Sequence, residues 1–431
     1  MRIVQTVILG AAPLMVAAAF GQDSAPQESP FSASVGMGTQ QSDNARKQEA
    51  NGITERQDDF NAAVAASWQG GWSAFEGEYR YGYKNYSKDS QTNRNTLEGR
   101  AELLLGLAND PLSLAIRHSN QAQYNTPEDL EISDNLDEKQ IWGAEPTLRL
   151  ALSRVDTLAV AGSYEDVSYR YNELRNSERA GGSVYWSRQL SRTDMMRLTV
   201  GTIDVTYPNS ETNNFEKSYA HLTYSAALRQ ITYSLMAGVN QATFEDSSDT
   251  IKSPTYRASI SYQGALHTLS LNASQEFTDS SYGAGLDQSP VPGNPSDGVG
   301  VDQIERKQIG LTWQTTALCT LCTAKVFLQV RDDNYRRLDE DNTQPSAGLT
   351  FAYRLTEAAS VSANYTRRQE QFDAESKSDL NRDNAGISFD YGFTKNLDAK
   401  AFYTYERRQY VDGDATYEEN VVGVSMNYTL K

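Results

Sequence analysis

The amino-acid sequence predicts an all-β chain: a transmembrane antiparallel up-and-down β-barrel of roughly 20 strands, within a range of about 16 to 20. Three observations carry this. Apolar and polar residues alternate with a period of two in segment after segment, the signature of a strand with two unlike faces. At 397–408, Leu397, Ala399, Ala401, Tyr403 and Tyr405 alternate with Asp398, Lys400, Thr404, Glu406 and Arg408, with Phe402 the one apolar residue on the polar side. The connectors between such segments alternate short and long. Past residue 21, no run approaches the roughly 18 apolar residues of a membrane helix.

Composition agrees. The chain has 431 residues, 39% of them hydrophobic, with 25 Tyr, 13 Phe and 5 Trp and a formal charge of -17. A mean hydropathy of -0.61 is too polar for a helical membrane protein. It would suit a soluble or disordered chain, but disordered segments are poor in aromatic residues and strand patterning. A barrel around water reconciles the two, because only alternate residues need be apolar. A soluble β-sandwich or a secreted β-solenoid is the competing reading. Neither requires the connector rhythm or aromatic girdles at two levels.

In chain order, residues 1–21 read as a secretory signal peptide, with Arg2 ahead of an apolar stretch and Ala19-Phe20-Gly21 as a cleavage site. No Cys follows that site, so a lipoprotein anchor is not expected. Residues 22–30 read as a periplasmic leader, and 31–431 as one outer-membrane barrel domain. Short connectors are expected at Gly70-Gly71, Asn109-Asp110-Pro111, Arg154-Val155-Asp156, 191–194, Arg229-Gln230, Gly264-Ala265, 317–323, 356–359 and Thr394-Lys395-Asn396. Long polar ones fall near 40–58, 87–95, 123–138, 172–178, 208–216, 245–253, 280–303, 337–345, 374–383 and 411–417. This asymmetry puts the short turns and both termini in the periplasm.

The outward face takes Phe75, Tyr79, Tyr81 and Tyr83; Leu97, Ala101, Leu103 and Leu105; Leu158, Val160 and Tyr164; Tyr256, Ala258, Ile260 and Tyr262; Leu349, Phe351 and Tyr353; and Ala385, Ile387, Phe389, Tyr391 and Phe393. Tyr and Phe gather at strand ends as a girdle requires. The polar face places Arg80 and Lys84, Arg100, Arg117, Arg149, Arg188, Arg257, Arg306, Lys325, Arg331, Arg354, Arg368, Lys400 and Arg408 in the lumen. Glu76, Glu78, Glu98, Glu102, Glu165, Glu276, Asp333, Glu370, Asp390, Asp398 and Glu406 share it. Two accounts stand: a wall of charges that satisfy one another, or an arginine ladder offering bidentate donors to carboxylate or sulfate groups on a passing polymer.

Catalysis finds little support. His118, His221 and His267 sit in different strands without a nucleophile that the sequence can place beside them, and read as hydrogen-bonding wall residues. No glycine-rich phosphate loop, metal cluster or basic nucleic-acid patch is present, so no catalytic residue, cofactor or nucleic-acid partner is assigned. Cys319 and Cys322 read as a local disulfide that stiffens a turn in an oxidising compartment. A redox pair would want a βαβ context, and a zinc site two further ligands. The stretch 279–302, with Pro290, Pro292 and Pro295, is a long loop that folds inward as a constriction, covers the mouth as a lid, or moves freely.

Gly423-x-x-Met426-x-Tyr428 resembles the C-terminal assembly signal of bacterial outer-membrane barrels, although the chain ends Leu430-Lys431 without a terminal aromatic. Strands end in Tyr/Arg-rich tops at Tyr79-Arg80-Tyr81, Tyr365-Thr366-Arg367-Arg368 and Tyr405-Glu406-Arg407-Arg408-Gln409-Tyr410. With its length and the absence of a plug or periplasmic module, the chain resembles a group of outer-membrane β-barrel porins associated with bacterial exopolysaccharide and exosortase (PEP-CTERM) systems. The resemblance implies passage of a polysaccharide through the outer membrane and no catalytic residues. Expected partners are outer-membrane lipid and the barrel-assembly machinery, with polysaccharide and periplasmic export components. A general solute porin, or a barrel acting at its surface as adhesin, assembly partner or enzyme, are the alternatives.

Overall fold

The computed structural model describes residues 31–430 apart from 107–109, 126–131, 246, 248, 284, 288–297 and 412–415. The expected signal peptide and leader lie outside the described residues, as do the prolines of the 279–302 loop. The first ten strands are β1 (Phe31–Ser42), β2 (Glu55–Gln69), β3 (Ser73–Tyr86), β4 (Arg94–Leu105), β5 (Leu112–Tyr124), β6 (Leu136–Ala151), β7 (Asp156–Tyr169), β8 (Ser177–Gln189), β9 (Asp194–Thr206) and β10 (Phe215–Ala227). The other ten are β11 (Ile231–Phe244), β12 (Thr250–Gln263), β13 (His267–Asp279), β14 (Gln303–Thr315), β15 (Cys322–Tyr335), β16 (Asn342–Arg354), β17 (Ala359–Phe372), β18 (Leu380–Gly392), β19 (Leu397–Tyr410) and β20 (Thr416–Leu430). They form a single 20-stranded antiparallel sheet. β1 pairs with β2 on one side and with β20 on the other, from Ala33↔Leu430 to Ser42↔Val421, so the sheet closes and leaves no edge at the seam.

The register shows why these residues are strands. Leu148, Val160, Val184, Val200, Ala220 and Val239 are opposite one another across successive pairs and form one apolar row around the outside. Met37 is 66% exposed, Leu112 64% and Val239 61%; in water such a surface would be an aggregation hazard, whereas in hydrocarbon it is the favoured face. No helix among the described residues is long and apolar enough to cross a membrane. A closed sheet does so instead, because every ladder bond is made within the wall.

Turn chemistry at the short end is repeated. The amides of Leu152 and Ser153 donate to the Asp156 carbonyl, while Ser153 Oγ accepts from the amides of Val155 and Asp156. Thr356 does the same for Ala358 and Ala359, and Thr394 for Asn396 and Leu397. At the long end, an aromatic amide donates to an Asx carboxylate or amide oxygen that closes the loop: Tyr86 to Asn93 (2.8 Å), Tyr169 to Asn176 (2.7 Å), Tyr207 to Asn214 (2.8 Å) and Phe372 to Asp379 (3.0 Å). Cys319 and Cys322, in the turn between β14 and β15, have Cα atoms 5.3 Å apart and are bonded through sulfur. Phe402, the inward apolar residue of β19, pairs with Gly423 of β20, where any side chain would collide with its ring.

Candidate functional site

The lumen is the site, and its most informative feature is what fills one side of it. At the end of β13 the chain does not continue upward from its own wall. It crosses to the inner face of β6 to β9. Asp279, 1% exposed, accepts from the Arg179 guanidinium on β8 (2.8 and 2.9 Å) and from the Tyr207 hydroxyl just past β9 (2.8 Å). The amides of Ser281 (3.1 Å) and Tyr282 (3.0 Å) fold back onto the same carboxylate. Burial, with Asp279 beside it, pushes the Tyr207 phenol well above its usual range, so it stays a donor. Tyr169 donates to the Ser281 carbonyl (2.6 Å), Arg175 to that of Ser280, and Lys139 to that of Tyr282 (3.2 Å). Tyr282 and Leu286 pack on Ile141, Val167 and Tyr169 of the inner wall, and Arg179 lies 4.2 Å from the Tyr282 ring centroid. The returning end is tied as tightly: Asp302 accepts from the amides of Arg337 (2.8 Å) and Leu338 (2.9 Å). Of the three readings of this loop, its described parts take the inward one.

A second cluster lies on β14 and β15. Asp333 is fully buried and accepts from Arg306 (2.7 and 2.9 Å) and Arg331 (2.8 and 2.5 Å). A third stands at the closing seam, where the cross-strand carboxylates Glu406 and Glu419 share Lys47 from the β1–β2 loop at 2.8 and 3.8 Å. Lys47 has φ of 55°, a conformation that side chains other than glycine rarely adopt, held here by this double ion pair.

Strand register puts Arg80, Arg100, Arg117, Arg149, Arg257, Arg306, Arg331, Arg354, Arg368, Lys400, Glu406 and Arg408 on the face opposite the apolar rows, toward the lumen. Arg188 is a correction. It shares parity with Val184 and Trp186 and faces outward, paired with Asp156 at 3.7 Å, at the short-turn end where a long side chain reaches out of the apolar band. His221 is inward, stacked on Tyr219, while His118 and His267 are outward beside Trp142 and Trp313.

The inward cations do not form one ladder. Arg100 pairs with Glu78 (3.5 Å), Arg117 with Glu102 (3.1 Å) and Glu145 (3.4 Å), and Arg257 with Glu276 (3.0 Å). Arg368, Arg382 and Arg408 stand directly opposite one another across β17, β18 and β19, with Arg382 and Arg408 buried. Arg80, Lys325, Arg354 and Lys400 are exposed and form no ion pair among the described residues. Arg179, Tyr207, Lys47 and Arg382 join the site in addition to the residues expected from sequence. Arg179 and Arg382 were accessible to strand parity, but the loop residues carried no local signal. Among the described residues, no group of three or more His, Cys, Asp and Glu is placed to hold a metal ion.

The chain is a closed antiparallel β-barrel of 20 strands. Among solved structures it is similar to OccK3 (OpdO) of Pseudomonas aeruginosa, with 11% identity, 93% of this chain and 95% of that one covered and a TM-score of 0.41. It is also similar to OccK2 (OpdF) of Pseudomonas aeruginosa, at 10% identity, 93% and 98% coverage and a TM-score of 0.40. A loop L8 deletion mutant of OmpT, an outer membrane protein of Vibrio cholerae, matches at 10% identity, 93% and 100% coverage and a TM-score of 0.38. No family model and no curated protein matches the chain.

Proposed function

We propose that this barrel is an outer-membrane channel for small hydrophilic solutes, with a preference for anions, narrowed by the inward β13–β14 loop. The carrying observation is the buried tie of Asp279 to Arg179 and Tyr207, which holds that loop against the inner face of β8 and β9. A polar, water-lined lumen passes solutes, and a fixed loop inside it limits their size. Passage of a polysaccharide, implied by the sequence resemblance, would need the same lumen with this loop displaced.

Single-channel conductance in planar bilayers tests the reading. Asp279→Asn leaves Arg179 buried opposite a neutral group, a loss of about 3–5 kcal/mol of the kind found when one partner of a buried pair is removed, and should free the loop. Conductance is expected to rise, and to rise further when residues 283–300 are deleted. A barrel that stays shut in wild type and in the deletion would end the channel reading. Conductance that is open but unchanged by either alteration would leave a channel without this constriction.

A further inference from the structure

The wall is not equally knitted all the way round. β2 and β3 are laddered from Gln57↔Tyr86 to Gln69↔Ala74, and β5 and β6 from Leu112↔Leu148 to Tyr124↔Leu136. Between β4 and β5 the ladder runs from Leu105↔Leu114 only as far as Gly99↔Asn120. Above it, 94–98 and 121–124 are still strand. Each pairs with its other neighbour, β3 or β6, and not with the other. Gly99 marks the break, because a side chain there would run into the Glu78 carbonyl and the Tyr79 ring. Higher still, the adjoining loops meet: Gln91 Oε1 accepts from the Ser133 amide (2.9 Å), and Thr92 donates to Asp134 (3.0 Å). The result is a slit in the barrel wall, closed above and below.

Three buried polar side chains stand at the break, Ser119 and Asn120 in the last two pairs of the ladder and Gln123 beyond it. Ser119, Asn120 and Gln123 of β5 are 5%, 8% and 3% exposed, and Ser119 Oγ, Asn120 Oδ1 and Gln123 Nε2 have no hydrogen-bond partner among the described residues. By parity Ser119 and Gln123 point inward and Asn120 outward, so these groups run through the thickness of the wall. The height is set by the register. Tyr81 pairs with Leu97 and Tyr83 with Asn95, which places the slit at the level of outward, exposed tyrosines, where lipid head groups begin. Just below, on the outside, His118 bonds Tyr79 and Gln140 and carries the Trp142 ring at 4.2 Å, an apolar sill with a polar upper edge.

We propose that this slit is a lateral binding site for an amphiphile of the outer leaflet, taking an uncharged head group rich in hydroxyls or amides, with the chain lying on Tyr79, His118 and Trp142. Hydrocarbon cannot satisfy an open strand edge or a buried amide, and each such group left bare costs on the order of 1–3 kcal/mol. A neutral head with several donors and acceptors matches the lining. The charged side chains at its inner border, Arg94 and Glu98, are of opposite sign and favour no net charge. The site lies within the wall, with Ser119 and Gln123 on its inner side, and is distinct from the path of solute through the lumen.

Binding of radiolabelled dodecyl maltoside to the full chain in phosphatidylcholine vesicles tests it. Wild type should bind saturably, and Gln123→Leu should weaken binding about tenfold, the worth of one hydrogen bond. Continued past the break, the ladder would set Leu97 against Ala122, so Leu97→Cys with Ala122→Cys should lose binding when oxidised and regain it when reduced. Solute conductance should be the same in all three, which separates this site from the channel reading. Non-saturable uptake, wild-type affinity in Gln123→Leu, or binding indifferent to closure of the cysteine pair would overturn the proposal. Equal affinity for dodecylphosphocholine, whose head has no hydroxyl or amide, would overturn the choice of a head rich in those groups.

Discussion

Asp333 holds two arginines at once, and without it both Arg306 and Arg331 would be charges in a closed space. Removing one partner of such a cluster costs more than the pair contributes, because the remaining charge has lost both water and counter-ion. Asp333→Ala should therefore lower stability by about 3–5 kcal/mol, read as a shift of the urea unfolding midpoint in vesicles. Arg100→Ala, at an exposed pair with Glu78, should cost at most about 1 kcal/mol. Alternation made Asp333 and Arg306 legible in the sequence as inward residues. That one is buried and the other pair exposed depends on what the third dimension stacks over them, and no local pattern records it. Arg188 was misplaced for a related reason: its chemistry suggested the lumen, while its position two residues past Trp186 put it outside.

At the scale of elements, the connectors were legible because turn chemistry is local. The hydroxyls of Ser153, Thr356 and Thr394 each satisfy amides within three residues of themselves, and the long loops are closed by an Asx side chain a few residues on. Thr394→Ala removes the hydroxyl that accepts from the amides of Asn396 and Leu397 and should cost about 0.5–1.5 kcal/mol, measured by the same unfolding assay. Thr394→Ser should restore it, because only the oxygen is needed. The inward path of the β13–β14 loop was not legible. Its anchor joins residues whose sequence separation is 100, and a proline-rich polar stretch reads alike whether it crosses a lumen or stands in solvent. The break between β4 and β5 was equally hidden, since residues 94–98 keep the same alternation as paired strands do.

At the scale of the whole molecule, the overall charge of -17 does not decide what passes through the middle. Ions in the lumen respond to the inward groups that lack a close counter-charge, and Arg80, Lys325 and Arg354 are exposed there without an ion pair among the described residues. Arg306 and Arg331 share the one negative charge of Asp333, so they contribute less field per residue than an unpaired arginine does. A unit charge about 4 Å from a water-filled path is worth about 1 kcal/mol, several-fold in relative permeability. Neutralising Arg80, Lys325 and Arg354 together with Gln should therefore lower the anion-to-cation permeability ratio, measured as the reversal potential across a KCl gradient. The same three changes should matter less at 1 M salt than at 0.1 M, because the screening length shrinks from about 10 Å to about 3 Å. Replacing Arg100 and Arg257 with Gln is the control: each leaves behind a carboxylate, Glu78 or Glu276, now without its partner, so the ratio should fall through added negative charge, and further replacement of those two carboxylates by Gln should return it to the wild-type value. If the triple variant keeps the wild-type ratio at 0.1 M, selectivity is set instead by the buried arginines of β18 and β19, and the exposed cations are bystanders.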